Sequence, residues 1–175
     1  MQAPHEVRKN GGGRWRRMTL ADLAIVEHIA RRVHPSYPED ISVIAERLAL
    51  YPHGCLVFGG PHGVLGYTIA HPWMQAHPPR LNTRLQRLPV APDTFYIHDL
   101  ALLPELRRAG AGSAAVHLFV EQAGSKMLKT VSLVAVAGST KFWRRHGFRE
   151  VGHEVAGPAL LSYGDAARLM VRSLL

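Results

Sequence analysis

The clearest chemistry in this chain lies in a basic, glycine-rich turn. Leu100-Ala101-Leu102-Leu103 reads as an apolar strand that ends at Pro104, and Arg107-Arg108-Ala109-Gly110-Ala111-Gly112-Ser113 follows as a turn opening a helix. That helix, Ala114 to Ala123, repeats its apolar residues at spacings of three and four. The first N–H groups of a helix have no partner within it and carry partial positive charge. Glycine lets an anion approach them closely, and arginine adds charged donors. The stretch is a recipe for holding phosphate. Just upstream, His98-Asp99 lies on the same strand, where alternation would put Tyr96, His98 and Leu100 on one face and Phe95, Ile97 and Asp99 on the other. Imidazole titrates near neutrality, so His98 is either a general base or a hydrogen-bonded structural histidine.

Other reactive side chains point to less. The 11 histidines are scattered, with no paired spacing to a carboxylate or cysteine, and no metal is expected. Ser113 and Ser139 suit helix starts and lie in no nucleophile-elbow motif. Cys55, the single cysteine, falls in an apolar run and is read as a core residue. One cysteine excludes an internal disulfide and suits a reducing cytoplasm, the expected location.

The elements that must position these residues fit one domain. Of 175 residues 47% are hydrophobic, enough for a real core. No apolar run reaches membrane-span length, and no signal-peptide core opens the chain. The net charge of +8 could attract nucleic acid or a polyanionic nucleotide cofactor. Sparse aromatics and the lack of an RNA-binding signature rank nucleic acid low. Residues 1–13 are expected to be a disordered basic tail, and 14–175 a single domain.

A weak strand near Trp15 precedes a helix capped by Thr19 with Asp22, which stops at His34-Pro35. Pro38-Glu39-Asp40 opens a second helix. Cys55 to Phe58 and Val64 to His71 pair as a hairpin. The segment from His71 to Asp93 is irregular, with a short helical piece expected near Asn82 to Leu88, and is placed beside the substrate entrance together with Glu39 and Asp40. The strand from Thr94 to Leu103 follows, then the helix, a buried strand from Thr130 to Val136, a short helix through Phe142-Trp143, a strand from Phe148 to Val155 and a last strand from Arg168 to Leu174. The order β-α-α-β-β-β-α-β-α-β-β makes an α/β, or α+β, mixed sheet with flanking helices. A dinucleotide-binding domain fits poorly, because the strand before the turn is fourth and Gly-x-Gly-x-x-Gly is absent.

Arg107-Arg108-Ala109-Gly110-Ala111-Gly112 resembles the Arg/Gln-x-x-Gly-x-Gly/Ala acyl-CoA motif of the GCN5-related N-acetyltransferase (GNAT) superfamily. Phe142-Trp143-Arg144-Arg145-His146-Gly147-Phe148 is similar to that family's downstream Phe-Tyr-x-x-x-Gly-Phe segment. The resemblance implies a central, mostly antiparallel sheet splayed at strands four and five. It implies that Leu102 and Leu103 hold the pantetheine arm of acetyl-CoA through their backbone. Arg107, Arg108, Gly110, Ala111, Gly112 and Ser113 would wrap the pyrophosphate, with Phe142 beneath the cofactor and Arg145 within reach of a phosphate. The expected activity is acetyl transfer from acetyl-CoA to a primary amine of a small molecule, peptide or protein, with His98 at the position where relatives carry a glutamate base. The alternative is a non-catalytic acyl-CoA-binding or regulatory module, because Trp143 stands in the tyrosine slot and indole cannot act as that acid. Asp99 is read as structural, and the family likeness leaves a homodimer open.

Overall fold

The computed structural model describes residues 13–61, 63–106, 109–136, 138–152 and 157–175. The predicted tail therefore lies, Gly13 apart, outside the described residues. Among them seven strands form one mixed sheet in the order β1-β2-β3-β4-β5-β7-β6. They are β1 Arg14–Arg17, β2 Cys55–Gly60, β3 Gly63–Trp73, β4 Thr94–Leu102, β5 Thr130–Ala135, β6 Arg149–Glu150 and β7 Arg168–Ser173. Only β4 and β5 run parallel; every other neighbouring pair is antiparallel.

Helices cover both faces. On one, α1 Leu23–Val33 and α2 Ile41–Leu50 bury Val26, Ile29, Ile44 and Leu48 against Tyr67, Ile69, Ala101 and Leu103. On the other, α3 Ala111–Ser125 and α4 Thr140–Arg145 set Ala115, Val116, Phe119 and Trp143 against Ala70, Phe95, Ile97, Val131 and Leu133. A short α5, Gly157–Leu161, lies in a stretch whose sequence carries no clear period. No helix among the described residues is long and apolar enough to cross a membrane.

The helix starts follow local chemistry. Thr19 donates from its N–H and hydroxyl to Asp22 Oδ2 at 2.8 and 2.9 Å, and Arg16 grips the same carboxylate at 2.7 and 2.8 Å. The Arg16 guanidinium holds the Asp22 carboxyl well below its ordinary range. The predicted cap thus ties β1 to α1. At α2, Asp40 Oδ1 accepts from Ser42 N–H at 2.8 Å.

Two expectations fail. No helix forms near Asn82 to Leu88. The N–H groups that would seed it are taken by carboxylates: Glu39 accepts from Asn82 at 2.9 Å, and Glu46 accepts from Leu85 and Gln86 at 2.7 and 2.9 Å. Asn82 and Gln86 sit at φ +55° and +64°, outside helical space. The strand predicted from Phe148 to Val155 shrinks to Arg149–Glu150, since Phe148 turns into the core instead. Residues 153–155 of that span lie outside the described set.

Candidate active site

β4 and β5 pair only over Phe95–Ile97 and Val131–Leu133. Beyond Ile97 the strands part, and a cavity of about 300 Å³ opens at the fork, lined by Leu100 and Leu102 of β4, Val134 of β5 with Val136 just beyond it, and Phe142 and Trp143 of α4. Leu102 is clamped between two glycines. A Cβ on Gly66 would stand 2.6 Å from one of its methyls, and a Cβ on Gly112 would stand 3.4 Å from the other and 3.1 Å from Phe142 Cζ. Glycine at 112 therefore keeps the start of α3 close against the fork. Gly110, at φ +79° with open space where a Cβ would be, precedes the helix. Trp15 Nε1 donates to the Ala111 carbonyl at 3.0 Å and fixes that turn from β1.

A β-bulge decides what the other side of the fork presents. Ile69 pairs with Asp99, whereas the next residue, Ala70, pairs with Ile97. His98 is the extra residue, and a bulge re-aims the side chains that follow it. The alternation expected from sequence is thereby corrected. Phe95, Ile97 and Leu100 pack on the α3 side, while Asp99 and Ala101 turn toward α1 and α2. His98 and Asp99, expected on opposite faces, both meet partners from the α1 end and the α1–α2 connection.

Those partners make two imidazole–carboxylate pairs. His98 Nε2 lies 2.8 Å from Glu39 Oε2, and His34 Nε2 lies 3.0 Å from Asp99 Oδ1. Tyr67 donates its hydroxyl to Asp99 Oδ2. Burial pushes the Glu39 carboxyl up, but the His98 contact and the Asn82 N–H outweigh it and leave it below its ordinary value. Asp99 follows the same pattern, with burial overcome by His34 and Tyr67. Burial depresses His34, yet Asp99 beside it leaves the imidazole net raised. With Glu39 ionised, Nε2 of His98 carries a proton toward it, and Nδ1 has no partner among the described residues. The His98 side chain is 1% exposed and that of Glu39 11%. His71 lies nearby on β3, buried, with burial pushing its imidazole down to about 3, so it stays neutral.

The structure brings some of the expected residues together and separates others. His98, Leu102 and Phe142 line one cavity, and Gly112 abuts Leu102 and Phe142. Ala111 is buried in the first turn of α3. Leu103 is buried on the α1 face. Arg145 is exposed on the last turn of α4, outside the cavity lining. Arg107 and Arg108 lie outside the described residues. Ser113 meets His146, whose Nδ1–H donates to the Phe142 carbonyl at 2.9 Å, so that Nε2 accepts from the Ser113 hydroxyl at 2.9 Å. Trp143 is a core residue, edge-to-face with Phe142 and Phe148. Tyr163 lines the cavity and donates its hydroxyl to the Pro79 carbonyl at 2.9 Å. Glu39, expected on the amine side, lines it too. Leu81, in the His71–Asp93 segment expected beside the substrate entrance, lines it as well, whereas His34, which the sequence marks only as a helix stop, joins it with no local signal.

A second cavity of about 440 Å³ lies between α1 and the α1–α2 connection and shares His34, Tyr37, Glu39 and Asp99 with the first. No cluster of three or more metal-ligating side chains occurs among the described residues.

Comparison with curated proteins finds no match. Solved structures share the fold. Ard1 from Thermoplasma volcanium is 18% identical, with a TM-score of 0.71 over 94% of this chain and 99% of that one. The GphF GNAT-like decarboxylase in complex with isobutyryl-CoA is 16% identical, with a TM-score of 0.74 over 93% and 100%. N-acetylglutamate synthase from Neisseria gonorrhoeae, complexed with coenzyme A and N-acetyl-glutamate, is 12% identical, with a TM-score of 0.72 over 95% of this chain and 36% of that one. The model of the Acetyltransferase (GNAT) family matches residues 20–148, most of the chain, and the protein, with its forked β4–β5 pair, belongs to that family.

Proposed function

We propose that residues 14–175 act as one acetyl-CoA-dependent N-acetyltransferase domain that acylates a primary amine. The observation that carries this reading is the oriented His98–Glu39 pair beside the β4–β5 fork. Leu102, Gly110, Ala111, Gly112, Ser113 and Phe142 fit the donor: they offer free strand backbone, a glycine-opened helix start and an apolar floor. Arg107, Arg108 and Arg145 add charge for the phosphates. Two of the structures that share the fold hold coenzyme A or an acyl-CoA.

In this reading the amine loses a proton to His98 Nδ1. The proton passes over one water, because the imidazole is 1% exposed. Glu39 fixes the tautomer and offsets the imidazolium that forms, as a carboxylate does behind a catalytic histidine. The amine nitrogen bonds to the thioester carbonyl carbon, the C–S bond breaks, and the thiolate leaves with a proton. Backbone N–H groups of β4 beyond Ile97 face the developing oxyanion. Tyr163, kept protonated by burial, lines the cavity and would reach the thiolate only by giving up its bond to the Pro79 carbonyl.

Calorimetry with acetyl-CoA and a free-thiol assay over an amine panel test this together. Micromolar binding with thiol release supports transfer. Binding with no release from any amine leaves the non-catalytic acyl-CoA module, and no binding at all removes both.

A further inference from the structure

The cavity at the fork also carries information about the acceptor. Its charged lining is two carboxylates, Glu39 and Asp99, and two imidazoles, His34 and His98; among the described residues it contains no lysine or arginine. Arg47 is 1% exposed, and its terminal nitrogens are committed to Glu46 Oε2 at 2.8 Å and the Thr83 carbonyl at 2.7 Å; Arg31, in the lining of the adjoining cavity, is held by Glu27 at 2.7 Å. An acceptor carboxylate would thus meet two anions and no guanidinium or ammonium, and both imidazoles are already turned to those anions, His34 to Asp99 and His98 to Glu39.

The uncharged side chains at this end are apolar or aromatic. Val33 precedes His34, Tyr37 stands two residues before Glu39, and Leu81 precedes Asn82, whose N–H bonds Glu39. Tyr163 lies close enough to feel the Glu39 charge. The cavity is at the small end for ligand sites, and in the acetyltransferase reading it also takes the acyl end of the donor. His98 supplies an unpartnered, buried polar atom in this wall.

Resting on the acetyltransferase reading above, we propose that the acceptor is a small primary amine with an apolar or aromatic body and no carboxylate, the arylalkylamine class. Ammonium meets Glu39 and Asp99, the ring meets Leu81, Tyr37 and Tyr163, and loss of the proton to His98 readies the nitrogen.

Two ligands that differ only by a carboxylate test it. 2-Phenylethylamine, L-phenylalanine and putrescine are titrated calorimetrically into the protein, both free and loaded with CoA. Phenylethylamine is expected to bind at least tenfold more tightly than either of the others. Equal or tighter binding of phenylalanine overturns the charge argument, tighter putrescine overturns the apolar body, and no phenylethylamine binding in either form overturns the proposal. Because amine binding is read without turnover and also without CoA, its failure is distinct from a failure to bind acetyl-CoA. Leu81→Arg is expected to narrow the phenylethylamine-to-phenylalanine ratio at least tenfold; an unchanged ratio counts against the site.

Discussion

The two walls of the β4–β5 fork are built by different means. The α3 wall uses backbone and small residues: Gly110 and Gly112 at a helix start, Leu102 clamped by Gly66 and Gly112, and the Phe142 ring. The α1 wall uses side chains from distant parts of the chain, joined as two imidazole–carboxylate pairs, His98 with Glu39 and His34 with Asp99. The first can serve any ligand carrying the same handle. The second depends on particular functional groups and can be changed one side chain at a time. Constancy for a donor and selectivity for an acceptor are expected to divide along this line.

The sharpest way to break the comparison is at His98. His98→Gln should lower kcat about 10²–10⁴-fold, the usual weight of a general base, and leave the Kd for acetyl-CoA within twofold. A matched loss of donor affinity would mean that the walls are not separable. Next is Gly112→Val, whose added carbons must collide with Phe142 and Leu102. Calorimetry should show CoA binding weakened at least tenfold, about 1.4 kcal/mol. Gly124→Ala, on the same helix where a Cβ meets nothing within 4 Å, should leave it unchanged.

Asp22→Ala removes the cap and the Arg16 partner but touches neither wall. It should cost about 1 kcal/mol, read as a fall in Tm of about 2–4 °C, with both ligand affinities intact. The smallest effect is a pH signature. His34 is raised in the folded state, so its contribution is full below its ordinary pKa and fades as pH rises through the raised value. Asp99 and Glu39 are lowered, so theirs is present above the ordinary carboxylate range and fades as pH falls through the lowered values. The Tm gap between wild type and His34→Gln should be widest at mildly acidic pH, between the ordinary carboxylate range and the ordinary imidazole pKa, below about 1 kcal/mol in free energy, and close at both extremes.

This division also explains what could be read from residues alone. The α3 wall is local: strand, Pro104, glycines and helix follow one another within a few residues, and each has a short-range physical signature. Glu39 could be guessed at the amine side only because it opens a helix, and His34 looked like a stop signal. Their roles arise from contacts 59 and 65 residues apart in sequence, His98 with Glu39 and Asp99 with His34. The failed helix near Asn82 has the same origin. Its N–H groups were claimed by Glu39 and Glu46, some forty residues away. The bulge left no mark either, since neither glycine nor proline stands at His98.

That bulge makes β4 behave like a text with a shifted reading frame. Upstream of His98 the strand is written in one phase and downstream in the other. Deleting His98 would close the bulge and leave Ile97 and Asp99 opposite Ala70 and Ile69, as they already are. Every other β4 side chain would keep its present face, Asp99 still toward α1. For this family member, a single-codon deletion at the bulge is the change expected to remove the imidazole from this wall while sparing its neighbours, whereas a deletion further along β4 would turn the intervening side chains to the opposite face.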